Sequence, residues 1–186
     1  MNKFLKLSVL SLLMSASSLW AADGTLSFKG TVTNATCEVK TPSLVFEGLT
    51  NAVRWKNPYT NISLSKSFDL AFDCGELTNA PGIRFTAQTG VVVGTTNEPF
   101  LAITGSASGV AIALQKLSTY PKDTINPNFT GSSLYLLDGE TYSTGKTSTD
   151  GDYVFGVRAF LVGLEPYNDS FNGDFEAVVG YDLIYI

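Results

Sequence analysis

Cys37 and Cys74 are the only thiols in the chain, and there is no histidine at all. That inventory removes Ser–His–Asp and Cys–His nucleophilic arrangements at once. It also leaves too few ligands at suitable spacing for a metal site. Two cysteines can still bond to each other if the chain reaches an oxidising compartment. Carboxylates remain as a possible acid–base pair. The closest set, Asp150 and Asp152, flanks Gly151, and Asp-Gly-Asp reads as a turn, since the calcium-loop pattern is absent around it. No glycine-rich loop follows a strand to cradle a phosphate. Four Asn-x-Ser/Thr sequons begin at Asn34, Asn61, Asn128 and Asn168; they matter only if the source glycosylates them. The residues predict no catalytic site, no metal and no cofactor, so the chain reads as a protein other than an enzyme.

The compartment follows from the start of the chain. Lys3 and Lys6 precede an apolar run from Leu7 to Met14, and a small-residue stretch ends in Ala21-Ala22. Residues 1–22 therefore read as a secretory signal peptide, too short to span a bilayer. Cleavage after Ala21 leaves Leu19 at the −3 place and cleavage after Ala22 leaves Trp20 there, so the cut site stays open. Export makes a Cys37–Cys74 disulfide the expected use of the two thiols. Closing a loop of that size stabilises a fold by roughly 3–4 kcal/mol in the chain-entropy model. Loss of Lys3 and Lys6, with no acid, moves the formal charge from −5 to −7. An acidic chain with no basic run is a poor binder of nucleic acid or anionic membrane. About 160 remaining residues suit one domain with a substantial core.

Alternation of side chains defines the elements. Asp23 to Val32 puts Leu26, Phe28, Gly30 and Val32 on one face and Thr25, Ser27, Lys29 and Thr31 on the other, the pattern of a half-buried strand. Lys66 to Cys74 aligns Phe68, Leu70, Phe72 and Cys74, and Cys37 opens a shorter segment through Val39. Both cysteines are thus expected on strands. Further strands are expected at Gly82–Gln88, Val91–Val93, Pro99–Thr104, Val110–Leu117, Leu134–Leu137 and Tyr153–Val162. Pro42, Gly48 and Asn57-Pro58 break the segment between the cysteines, and Ser143 to Asp152 reads as a turn cluster. No window sustains a helical period, so an all-β sandwich is predicted.

The last fourteen residues, GDFEAVVGYDLIYI, form one of the most apolar strands in the chain. Phe175, Ala177, Val179, Tyr181, Leu183 and Tyr185 make one row facing a core. Such an edge invites pairing with another strand. Either an earlier strand of the same chain lies beside it, or a strand from another molecule does.

Taken together, the two ends resemble the pilins, the subunits of chaperone–usher fimbriae of Gram-negative bacteria. Phe28-x-Gly30 stands shortly before Cys37, Cys74 follows a few dozen residues on, Gly173 is fourteenth from the end and Tyr185 is one before last. The resemblance covers essentially the whole chain after the signal. It implies a type 1-like fimbrial protein with the pilin fold, an incomplete immunoglobulin-like β-sandwich completed by a donated strand. In that scheme residues 23–33 are an N-terminal donor-strand extension and 34–186 the pilin domain. Leu26, Phe28 and Val32 are inserted into another subunit, with Gly30 passing a shallow place. Gly173, Phe175, Val179, Tyr181, Leu183, Tyr185 and Ile186 mark the groove strand, filled first by a periplasmic chaperone and later by the next subunit. Pilin complementation is itself a known instance of strand addition. The implied partners are the chaperone, an outer-membrane usher and neighbouring subunits in a head-to-tail polymer, which does not close and so extends as a fibre. The implied route is export to the periplasm and then a cell-surface fimbrium serving adhesion. The alternative is a tip adhesin or secreted carbohydrate-binding sandwich. Tip adhesins of the family usually carry an added N-terminal lectin domain, for which this length leaves no room.

Overall fold

A computed structural model describes residues 22–32, 37–40, 44–49, 57–61, 65–75, 77, 79–117, 131, 134–146, 152–167 and 173–185. Residues 1–21 of the expected signal peptide, the sequon positions Asn34, Asn128 and Asn168, Asp150 and Ile186 lie outside the described residues.

The strands run in chain order β1 (Ala22–Val32), β2 (Glu38–Lys40), β3 (Leu44–Leu49), β4 (Thr60–Asn61), β5 (Lys66–Asp73), β6 (Gly82–Ala87) and β7 (Val91–Val93). They continue with β8 (Pro99–Ala102), β9 (Thr104–Gly105), β10 (Val110–Lys116), β11 (Thr141–Ser143), β12 (Gly145–Lys146), β13 (Tyr153–Gly163) and β14 (Phe175–Ile184). Two sheets result. The first is ordered β11-β6-β14-β1-β3, with β9 also on β14; the second is β2-β5-β13-β10-β8-β7, with β4 and β12 on β13. No helix among the described residues is long and apolar enough to cross a membrane.

Period-two patterning explains why these segments pack as a sandwich. On β13, Tyr153, Phe155, Val157, Ala159 and Leu161 enter the core between the sheets, and on β10 Val110, Ile112 and Leu114 join them. Rings from opposite sheets meet there. Phe28 lies edge-on to Phe68 at 5.0 Å between centroids, Tyr181 to Phe72 at 5.7 Å, and Phe85 is tilted against Phe155 at 5.5 Å. The alternate residues of the second sheet build a smaller cluster on its outer face, from Phe100, Ala111, Ala113, Phe160 and Val162. That is why β13 and β10 are apolar on both faces, which a sheet with one wet face would not require.

Three expectations change. The predicted strand Leu134–Leu137 contributes one isolated bridge, Gln115 to Tyr135, because the Asp138-Gly139 turn cuts the ladder short. The Ser143–Asp152 turn cluster contains the end of β11 and all of β12. β3 forms where Gly48 was read as a break, held by antiparallel pairing with β1, Leu26 opposite Leu44 and Gly24 opposite Phe46. Long-range pairing supplies there what local propensity does not.

Candidate functional site: the two flanks of the terminal strand

β14 carries the row of predicted groove residues, and Phe175, Ala177, Val179, Tyr181 and Leu183 are all buried. On one flank it pairs antiparallel with β6, Leu183 opposite Ile83 and Tyr181 opposite Phe85. The same flank continues upward through β9, Phe175 opposite Gly105. Thr89 fastens this side: its hydroxyl donates to the Ala102 carbonyl at 2.6 Å and accepts from the Val178 amide at 3.4 Å. The Gln88 amide donates to the Val178 carbonyl at 2.9 Å.

On the other flank the chain's own β1 lies parallel to β14. The terminal strand of the single chain is therefore covered on both sides, and the first of the two possibilities for its neighbour holds in this structure. Parallel ladders are slightly less stable per residue than antiparallel ones. The register is specific: Gly24 faces Phe175, Leu26 faces Ala177, Phe28 faces Val179, Gly30 faces Tyr181 and Val32 faces Leu183. A glycine is set against each of the two rings, and Leu26 against an alanine. Leu26 is fully buried and Phe28 nearly so. A Cβ built on Gly24 would fall within the Phe175 ring, so the ring occupies the space that a side chain would need. Only glycine allows that approach without moving the ring.

Gly173 does not line the row. A Cβ there would stand 2.5 Å from Ser106 Oγ and 2.7 Å from the Ala107 nitrogen. The Asp174 carbonyl accepts from the Ser106 amide at 3.0 Å and the Ala107 amide at 3.2 Å. Gly173 thus lets the chain press against the segment after β9 and fixes where β14 starts. At the far end Tyr185 is half-buried, and its hydroxyl donates to Cys37 Sγ. Burial raises the Tyr185 phenol above its ordinary pKa, since desolvation disfavours the phenolate.

Cys37 and Cys74 are bonded, and no free cysteine occurs among the described residues. Both lie just beyond strand ends rather than within strands. β2 and β5 pair with Glu38 opposite Asp73, so the disulfide sits one step past the last ladder rung. No three metal-ligating groups converge among the described residues.

The sequence reading placed Leu26, Phe28, Gly30 and Val32 on one face of one strand, and the structure brings that strand against Phe175, Val179, Tyr181 and Leu183. It missed Gly24 and the part played by Ala177. The signal was available: Gly24 and Gly30 are six residues apart, as are Phe175 and Tyr181.

No family model matches the chain, and no curated protein matches it. Among solved structures it is similar to the CupB6 tip adhesin from Pseudomonas aeruginosa, at 12% identity and a TM-score of 0.43, covering 87% of this chain and 42% of that one. It is also similar to an antigen and type I fimbria protein of Burkholderia pseudomallei, at 20% identity and a TM-score of 0.38, covering 89% of this chain and 99% of that one. The chain thus spans less than half of the CupB6 adhesin.

Proposed function

We propose that this chain is a structural subunit of a bacterial surface fimbria, assembled by the chaperone–usher route through donor-strand exchange and contributing to adhesion as part of the fibre. The observation that carries the reading is the β1 flank of β14. A strand at the very start of the described chain fills a full-length slot beside an apolar row, in the less stable parallel sense. Its removal would bare the β1 edges of both β14 and β3 while leaving the β6 flank of β14 in place. A slot of that kind accepts an equivalent strand from another molecule, a periplasmic chaperone first and a neighbouring subunit afterwards. Each subunit would offer its own residues 23–33 to the next, giving a head-to-tail polymer.

Deleting residues 23–33 tests this directly. The shortened chain is expected to stay out of polymers and to bind a synthetic Asp23–Thr33 peptide with one-to-one stoichiometry by calorimetry. The intact chain, held concentrated under mildly destabilising conditions, is expected to give a ladder of detergent-resistant oligomers and fibres by electron microscopy. A shortened chain that is a cooperative monomer of undiminished stability and ignores the peptide overturns the proposal. The tip-adhesin reading draws no support from a strand shaped to be donated.

A further inference from the structure

The second sheet ends at β7, and among the described residues no strand pairs with its outer edge. Neighbouring hydrogen bonds fix which backbone groups that edge presents. The Ala102 amide donates to the Gly90 carbonyl at 2.9 Å, and the Gly94 amide donates to the Glu98 carbonyl at 2.8 Å. Gly90, Val92 and Gly94 therefore bond to the β8 side, and the alternate residues Val91 and Val93 aim their N–H and C=O groups away from it. Val93 stands opposite Pro99, which has no amide to donate and needs none at such a position.

The side chains single out the same two residues. Val91 and Val93 are 47% and 55% exposed, although Leu101, opposite Val91, is fully buried. Proteins ordinarily protect an edge strand with charge, proline or a bulge. No charged residue and no proline lies between Arg84 and Glu98, and the β7–β8 register is unbroken. On a chain of formal charge −5, this neutral strip is where two copies approach with least repulsion.

The strip also matches itself. Thr89 to Thr95 reads TGVVVGT, the same in both directions. Set antiparallel against a second copy about a two-fold axis at Val92, each Val91 meets Val93 of the other copy, and Val92 meets Val92. The residues opposed as hydrogen-bonded partners are then Val91 and Val93, whose backbone groups β8 does not use. A slip of two residues keeps the bonding phase but sets valines against glycine and threonine. Only the centred register opposes valine to valine throughout, the β-branched cross-strand contact that strands favour.

We infer that β7 is a self-pairing edge: two copies of this chain join through it, antiparallel and centred on Val92, so that their second sheets become one continuous sheet. Three residues a side bury far less than the roughly 1,200–2,000 Å² of a stable interface, so the contact is weak between single chains. It gains strength where copies stand in rows, and along fibres that accumulation rests on the proposed function. The pairing itself does not.

Single cysteines in the concentrated full chain read the register. Across the centred axis the two Val92 positions form a non-hydrogen-bonded pair, with Cα atoms about 4.5 Å apart and within disulfide reach; two copies of Val91, or two of Val93, are diagonal neighbours at about 7–8 Å and beyond it. Under mild oxidation Val92→Cys is expected to give linked dimers at about tenfold the yield of Val91→Cys or Val93→Cys alone, although those two positions are the more exposed. Adding Val93→Pro to Val92→Cys removes an outward N–H without touching the β8 ladder, and should abolish linking while the thermal melt stays near that of Val92→Cys alone. Dimers that form equally well through Val91 or Val93 alone overturn the centred register. A chain that builds head-to-tail polymers yet never links through Val92 overturns the self-pairing edge and leaves strand exchange standing. Val92 links in a chain that never builds such polymers support the edge and count against strand exchange alone.

Discussion

The two flanks of β14 are built on different rules. Against β6 every inward pair puts a side chain on both strands, Ile83 with Leu183, Phe85 with Tyr181 and Ala87 with Val179, in an antiparallel ladder extended by Thr89 and Gln88. Against β1, in a parallel ladder, a glycine stands opposite each ring, Gly24 with Phe175 and Gly30 with Tyr181, and β3 lies on the far side of β1. In the proposed exchange, a strand that leaves room for its neighbour's rings gives way to an equivalent strand, and β3 goes without its β1 partner until the slot is refilled. On the proposed function, one edge of β14 is a fixed part of the sandwich and the other a socket.

Matched truncations test that contrast most severely. Ile83 and Leu26 are both fully buried, and truncating either to alanine removes comparable apolar volume. Ile83→Ala is expected to cost about 2–5 kcal/mol and to lower the denaturation midpoint of the whole domain. Leu26→Ala is expected to act first by releasing β1, so hydrogen exchange should accelerate along β1 and its β14 contacts before the second sheet is affected. Equal acceleration in β13 and β10 would erase the distinction between the flanks.

A smaller effect is expected at Gly24. Gly24→Ala drives a methyl into the Phe175 ring and should cost about 1–3 kcal/mol through strain. Combining it with Phe175→Leu should recover part of that loss in a thermal melt, since the shorter side chain vacates the space. An alanine that leaves the melt unchanged would show that the ring is free to move and that the size match is not what sets the register.

The smallest lies on the exposed side of the fixed flank. Arg84 and Asp182 approach at 3.5 Å with side chains 48% and 41% exposed. Arg84→Gln should change stability by less than about 1 kcal/mol, and that change should vanish in high salt. A larger salt-independent loss would mean that the β6 flank depends on charge more than on packing.

Much of this architecture could be read from residues alone, because alternation is a local signal. The rows on β5, β10, β13 and β14 emerge from the chain as they stand in the structure. β3, β11 and β12 did not, since their pairing depends on partners distant in sequence and on backbone hydrogen bonds that carry no side-chain signature. Leu134–Leu137 failed for the opposite reason, as an apolar run ended by a turn at Gly139. The inward row of β1 was visible in sequence, but its direction beside β14 was not, because an alternating pattern is the same read forwards or backwards.

The Cys37–Cys74 disulfide has a mechanical consequence. Cys37 follows β1 by a few residues, and Cys74 closes β5, which runs beside β13 through the middle of the second sheet. In the proposed fibre, a pull on one subunit's β1 arrives first at this covalent link. The force then passes directly to β5 and is shared across a long antiparallel ladder in shear, instead of peeling the three-residue β2 away rung by rung. Stretching single fibres before and after reduction would measure it: lengthening per subunit should begin at lower force once the bond is opened. An unchanged force threshold would place the load elsewhere. The bond is thus a strain relief at the root of the strand most exposed to traction.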